Sequence, residues 1–175
     1  MKELKEILFG VNIDSVYGDT NLSVSGISFD SRQIKQNNIF IAIKGYDLDG
    51  HNYIDQSINN GATVVVCETL PKKINKYKIV FIKVKCSKTA LYIISSNLYG
   101  NPSSKIDLIG VTGTNGKTTI TSLLYKLFNN QGIKSGLIST INIEYDEFTE
   151  NSKNTTPDPI LLNHHLNEMV KKNIK

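Results

Sequence analysis

Apolar residues recur along the chain with two periods, and the changes of period divide it into alternating helices and strands. Leu4, Ile7 and Leu8 share one face of a short amphipathic helix. The runs "NLSVSGIS" and "NIFIAI" read as strands, and "NYIDQSINNG" reads as a helix that stops at Gly61. "ATVVVC" follows as a buried strand and "KIVFIKV" as another. In "SKTALYIISSNLYG", Ala90, Leu91, Ile94 and Leu98 fall on one helical face and Gly100 ends the helix. Residues 1–100 therefore predict a compact α/β unit.

"GNPSSK" gathers Gly, Pro and Ser between two periodic segments, the composition of a linker, which places a domain boundary at 101–105. Beyond it, "KIDLIGV" predicts a strand and a glycine-rich loop follows. "KTTITSLLYKLFNNQG" then predicts a helix with Ile120, Leu123, Leu124, Leu127 and Phe128 on its apolar side, and "SGLISTINI" a further strand. Strand, loop, helix, strand is the opening of a parallel doubly wound sheet. The expected fold class is thus α/β: a small N-terminal α/β domain, then the start of a phosphate-loop parallel-sheet domain over residues 106–175. Two parallel strands do not make a sheet covered on both faces, so this second domain is expected to be truncated.

Composition changes this picture little. At 39% hydrophobic and 21% charged residues the chain is an ordinary globular one. No apolar run approaches a membrane span, and "MKELKEILFG" lacks the basic region and long apolar block of a secretory signal. Membrane insertion is not expected, and the cytoplasm is the expected location. The net charge of +4 is spread over scattered lysines rather than a stripe with interleaved aromatics, so nucleic acid is not an expected partner. Oligomeric state leaves no signal.

Nineteen of the twenty basic residues are lysine; the one arginine, Arg32 in "SFDSRQ", is either a stray surface residue or a position that wants a planar fork of donors. Cys67 and Cys86 lie in apolar runs without C-x-x-C spacing and read as two reduced, mostly buried thiols. His164 and His165 are helix neighbours pointing about 100° apart, which argues against a shared metal site. His51, in "DGHNY", is open between capping, packing and binding.

The chemistry concentrates in "GVTGTNGKTT", residues 110–119. A loop leaving a strand and entering a helix presents successive N–H groups and the helix dipole to an anion. Lys117 at the helix start is disfavoured by that dipole, and a polyphosphate would offset it. Thr118 holds the hydroxyl position that ligates Mg²⁺ in phosphate-binding loops. The usual pattern G-x-x-x-x-G-K-[ST] needs a glycine five residues before Gly116, where Val111 stands; Gly113 supplies a tighter G-x-x-G-K-T instead.

"TGTNGKTT" resembles the ATP loop of the Mur ligases, which use this shortened form. "FDSRQIKQNNIFIAIKGYDLDGHNYIDQSINNGATVVV" is similar to the N-terminal substrate-binding domain of the MurE-type and MurF-type members. "NPSSKIDLIGVTG" resembles the family's interdomain link and first central strand, and "NTTPDP" its MurE-type threonine motif. The resemblance spans nearly the whole chain and favours the MurE type.

That resemblance implies an ATP-dependent amide-bond ligase of peptidoglycan synthesis. Its reaction adds a diamino acid, as the third peptide residue, to UDP-N-acetylmuramoyl-L-alanyl-D-glutamate through an acyl phosphate, with ATP and Mg²⁺ as cofactors. Transferred by position, Gly113, Thr114, Asn115, Gly116, Lys117, Thr118 and Thr119 would bind ATP. Lys117 would act catalytically on the terminal phosphates, and Thr118 would ligate the metal. Phe29 and Ser31, with Tyr46, Asp47 and Leu48, would meet the UDP portion of the substrate, and Asn154, Thr155 and Thr156 the muramoyl-peptide portion. Pro159 and Asp158 suit the first turn and N-cap of a helix that Thr155 and Thr156 precede.

The family's metal-binding glutamate, carbamylated lysine and amino-acid-recognition domain would lie beyond Lys175. This chain alone is accordingly expected to form no ATP-dependent peptide product. Diaminopimelate and lysine stay open as the added residue. A MurF-type ligase, an unrelated phosphate-loop NTPase and a noncatalytic nucleotide-sugar-binding module remain alternatives.

Overall fold

The computed structural model describes residues 1–72, 74–152 and 156–174, with the backbone alone at residue 75. The chain divides into two compact units, Met1–Leu98 and Tyr99–Lys175.

The first unit is built on a five-stranded sheet. Its strands are β2 (Ile13–Tyr17), β4 (Gly26–Ser28), β5 (Asn38–Ile41), β6 (Ala62–Cys67) and β7 (Val80–Val84), in the order β2-β7-β6-β5-β4. β4, β5, β6 and β7 run parallel, in register through Ile27↔Ile39, Phe40↔Val65 and Val65↔Phe81, and β2 closes one edge antiparallel to β7. A parallel strand covered on both faces should be apolar throughout rather than alternating. That is the pattern in "NIFI", where every residue is buried, and in "ATVVVC", where all but Thr63 are. Phe40, Val65, Cys67 and Phe81 pack with Ile34 and with Ile54 of helix α2 (Ile54–Asn59) in one cluster. Helix α3 (Ser87–Leu98) packs on β6 and on α1 (Leu4–Ile7), burying Ala90, Leu91 and Ile94.

Two expectations for this unit change, and one strand was not anticipated. "NLSVSGIS" is two strands, because β3 (Ser23–Val24) pairs with β1 (Lys2–Glu3) while β4 joins the main sheet. Between them Ser25 leaves the ladder, its N–H donating to Asn37 O and its Oγ to Gln36 O. β2, in "NIDSVYG", has no apolar period that marks it beforehand. Of the two cysteines only Cys67 is buried, its thiol pushed up to about 11 by burial; Cys86 is exposed in the turn from β7 into α3.

The second unit begins with a turn. Asn101 adopts a left-handed conformation and Pro102–Ser104 form a 3-10 turn with Pro102 buried, packed against helix α5 (Pro159–Lys171). The expected strand in "KIDLIGV" does not form: residues 107–112 belong to no strand, and Leu108 and Ile109 are 57% and 60% exposed. An apolar run supplies faces for a strand but not the neighbour whose groups complete a ladder, and none pairs with it among the described residues. Helix α4 (Lys117–Asn130) follows. "SGLISTINI" is a hairpin rather than one strand, with β8 (Gly136–Ile138) and β9 (Asn142–Tyr145) antiparallel. β10 (Phe148–Asn151) extends it to a three-stranded meander. Ile143, Tyr145, Leu166, Met169 and Ile174 form this unit's core. The parallel sheet of this α/β chain thus lies in the first unit, and the second carries helices on antiparallel strands.

Candidate functional site

The glycine loop is exposed from Thr112 to Gly116 and ends at the N-terminus of the 14-residue helix α4. Gly113 (φ 151°) and Gly116 (φ 79°) hold backbone angles that side chains with a Cβ rarely adopt. Added Cβ atoms would meet nothing closer than 3.6 Å, so conformation rather than crowding demands glycine there. Gly116 caps α4 with no side-chain bond, and its carbonyl accepts from Ile120 N at 2.9 Å. Among the described residues the amides of Lys117, Thr118 and Thr119 have no acceptor, which is the usual state of a helix's first turn. Three N–H groups and the positive end of the dipole therefore point into an exposed glycine loop, the arrangement that binds phosphate.

Lys117 Nζ closes over this loop, donating to Gly113 O at 2.5 Å and to Thr114 O at 3.3 Å. Thr118 Oγ1 lies 2.9 Å from Thr140 Oγ1, in the turn between β8 and β9. The seven expected nucleotide-binding residues, 113–119, thus run from the exposed loop into the first turn of α4, and Thr140 touches Thr118 from outside that segment. Its spacing of 22 residues from Thr118 gives no local sequence signal.

The expected residues of the first unit fall at two places. Asp30 opens a 3-10 turn, Ser31–Gln33, by accepting from Arg32 N. Its carboxylate takes a two-pronged bond from the Arg32 guanidinium at 2.9 and 2.8 Å, the fork anticipated for a lone arginine. Arg32's side-chain bond, first among the causes, holds the Asp30 carboxyl below its ordinary range. Arg32 is exposed, so the pair adds little stability. Ser31 is buried, its Oγ donating to Gln56 Oε1 at 2.8 Å and its carbonyl accepting from Asn60 Nδ2 at 2.9 Å. The neighbouring Phe29 is 39% exposed.

Tyr46, Asp47 and Leu48 form the tip of a second loop, closed by Gly45 N donating to Leu48 O, and all three are exposed. Its root is fixed. Asp49 Oδ1 accepts from His51 N at 2.9 Å and pairs with His51 Nδ1 at 2.6 Å. His51 Nε2 lies 3.0 Å from Glu68 N and 3.3 Å from Thr69 N. Those amides donate, so Nε2 is the acceptor and Nδ1 carries the hydrogen. His51 is therefore a structural tie to the end of β6. Gly50 lies so close to the backbone that follows β5 that a Cβ there would stand 2.7 Å from Ile43 N.

At the third expected position, Asn154 and Thr155 lie outside the described residues, and Thr156 is exposed. Asp158 caps α5 as anticipated, accepting from Ile160 N at 2.9 Å and Leu161 N at 3.0 Å, with Pro159 in the first turn. Among the described residues no cluster of three His, Cys, Asp or Glu side chains stands ready for a metal, and no helix is long and apolar enough to cross a membrane.

Comparison with known proteins identifies the family. Residues 23–99 match the family model "Mur ligase family, catalytic domain" and residues 111–175 match "Mur ligase middle domain". A UDP-N-acetylmuramoyl-L-alanyl-D-glutamate–2,6-diaminopimelate ligase of Phocaeicola vulgatus is 43% identical over 173 residues, 99% of this chain and 36% of the relative. One of the same name from Cytophaga hutchinsonii is 46% identical over 169 residues, 97% and 35% respectively. The chain thus spans about a third of the length of the curated relatives it matches. Among solved structures, a ligase of that same name superposes with a TM-score of 0.74 at 24% identity, covering 99% of this chain and 34% of that one. The MurF ligase of Thermotoga maritima, solved in complex with ADP, gives 0.56 at 26% identity, covering 83% and 29%. With two family models together covering most of its length and these relatives aligned over almost all of this chain, the chain belongs to the Mur ligase family.

Proposed function

We propose that this chain supplies the nucleotide-binding loop and the UDP-substrate-binding unit of an ATP-dependent ligase acting in the cytoplasm. That ligase would join 2,6-diaminopimelate to UDP-N-acetylmuramoyl-L-alanyl-D-glutamate. The observation that carries this reading is the left-handed Gly116 opening α4, with three unaccepted amides and Lys117 gathered around the loop. The shared name of the relatives supports diaminopimelate as the amine.

In this reading residues 113–119 cradle the polyphosphate of ATP. The Lys117 ammonium leaves the Gly113 and Thr114 carbonyls for the terminal phosphates, where its charge eases the approach of the anionic substrate carboxylate. Transfer of the γ-phosphoryl group to that carboxylate gives the acyl phosphate, and the incoming amine displaces phosphate.

The residues fit Mg²⁺: Thr118 offers a neutral oxygen, and a magnesium site draws most of its remaining ligands from phosphates and water. Bound there, Mg²⁺ would offset negative charge on the phosphates. Phe29, Ser31, Tyr46, Asp47 and Leu48 are assigned to the UDP portion. Asn154, Thr155 and Thr156, before the capped N-terminus of α5, are assigned to the muramoyl-peptide portion.

Titration calorimetry tests the loop. ATP with Mg²⁺ should bind the 175-residue chain, and Lys117→Ala should weaken it by roughly tenfold or more, the equivalent of about 1.4 kcal/mol. Equal binding by both would sink the assignment of Lys117. In the same format UDP-N-acetylmuramoyl-dipeptide should bind, and a chain indifferent to it at millimolar ligand would refute the substrate-binding role of the first unit.

A further inference from the structure

Two threonines of α4 use their hydroxyls in opposite ways. Thr121 Oγ1 folds back onto its own helix, 3.0 Å from Lys117 O and 3.1 Å from Thr118 O, the ordinary habit of a threonine inside a helix. Thr118 Oγ1 leaves the helix and meets Thr140 Oγ1 at 2.9 Å.

The turn that presents Thr140 is fixed without help from Thr140's own hydroxyl. Ser139 N donates to Asn142 O at 2.9 Å, while Ile141 N and Asn142 N donate to Ser139 Oγ at 3.2 and 3.1 Å. Ser139 Oγ reaches Asn142 Oδ1 at 2.8 Å. Ser152, beyond β10, clamps the turn from outside: its Oγ donates to Ser139 O at 2.6 Å and its N–H to Ile141 O at 2.8 Å. Ser139 is buried within this network. The Thr140 hydroxyl is therefore held at a set place by bonds it does not make, and its one described partner is Thr118.

From this geometry we infer that Thr140 is a positioning residue for Thr118, accepting the Thr118 hydrogen so that the Thr118 lone pairs face a nucleotide-bound divalent cation. The inference rests on the assignment of Thr118 to Mg²⁺ given above. A hydroxyl has one hydrogen and two lone pairs. If it is to ligate a cation, its hydrogen must point elsewhere, and an oxygen fixed 2.9 Å away is where it goes. Threonine in a helix has two favoured settings of its first side-chain torsion; Thr118 takes the one that brings Oγ1 to Thr140, and the bond then orients its hydrogen. Partners of this outer kind commonly affect metal affinity by tenfold or more.

Calorimetric titration of ATP, with Mg²⁺ and again with chelator, into the 175-residue chain and its Thr140→Val, Thr140→Ala and Thr140→Ser variants tests this. Mg²⁺ should tighten ATP binding to the unsubstituted chain. In Thr140→Val that tightening should shrink about tenfold while metal-free ATP binds as before, and Thr140→Ser, which keeps the acceptor, should restore it. Thr140→Ala gives the same reading should valine disturb the turn, and thermal melts report folding for each variant. Full Mg²⁺ dependence in the valine and alanine variants would overturn the inference and leave the loop assignment standing. Equal losses with and without Mg²⁺ would also overturn it, as the mark of a merely structural residue. An unsubstituted chain that binds ATP without regard to Mg²⁺ would bring down the assignment of Thr118, and this inference with it.

Discussion

Helices α3 and α4 are 12 and 14 residues long and both carry an apolar stripe, yet α3 buries Ala90, Leu91 and Ile94 while α4 buries no residue at all. Ile120, Leu123 and Leu127 of α4 are 47%, 62% and 51% exposed. Periodicity reports which face of a helix is apolar; whether that face lies against anything is decided elsewhere in the fold. The units around the two helices differ in the same sense. The first encloses its parallel sheet between apolar layers, whereas the second concentrates its core in the β9–α5 contact. The nucleotide role proposed for residues 113–119 suits the second arrangement, since amides that meet an anion must face outward.

The largest test of this contrast is Phe40→Ala. The ring is fully buried between β6 and the α2 layer, so its loss should cost about 3–5 kcal/mol in urea unfolding. A cost below about 1 kcal/mol would mean that the sheet is not the closed core described.

Acid should separate the units next. His165 is 2% exposed in the second core, its Nδ1 3.3 Å from Tyr145 Oη and its Nε2 without a partner among the described residues. Burial above all, then His164, holds its pKa below the ordinary value of about 6.5, with Glu150 and Glu168 pulling the other way. Between the lowered folded value and the ordinary unfolded one, the unfolded state binds more protons. The second unit's stability is thus fully present above about pH 6.5 and falls as pH drops through the folded value. Melting curves from about pH 7.5 to about pH 5 should show that loss, and His165→Phe should flatten it; an unchanged slope in the variant would place the sensitivity elsewhere. The smallest effect belongs to α4, where Leu123→Ala should change unfolding free energy by less than about 0.5 kcal/mol. A loss of the size expected for a core leucine would show that the stripe is covered.

What the sequence revealed follows the same division. β5, β6, β7 and α3 were legible because each is an unbroken apolar run or stripe inside a completed layer. The loop was legible as a turn into a helix because Gly113 and Gly116 stand where the backbone takes angles that favour glycine. "KIDLIGV" misled, since its apolar run carries no information about a pairing neighbour. "SGLISTINI" hid its turn because Ser139 makes it with a side chain, a local device that leaves the apolar pattern intact. The β1–β3 ladder, the His51 tie to Glu68 and Thr69, and the Thr118–Thr140 bond join residues 17 or more apart, and no window along the chain contains both ends.

Gly50 carries a consequence for how variation in this chain should be interpreted. The root of the 45–48 loop admits no Cβ without moving the backbone of Ala42 and Ile43, while Tyr46 at the tip is wholly open to solvent. In a saturation library selected only for folded protein, position 50 should keep glycine and position 46 should drift freely. Any restriction that appeared at Tyr46 or Leu48 when the library was instead selected for ligand capture would then be a record of recognition, uncontaminated by the demands of folding.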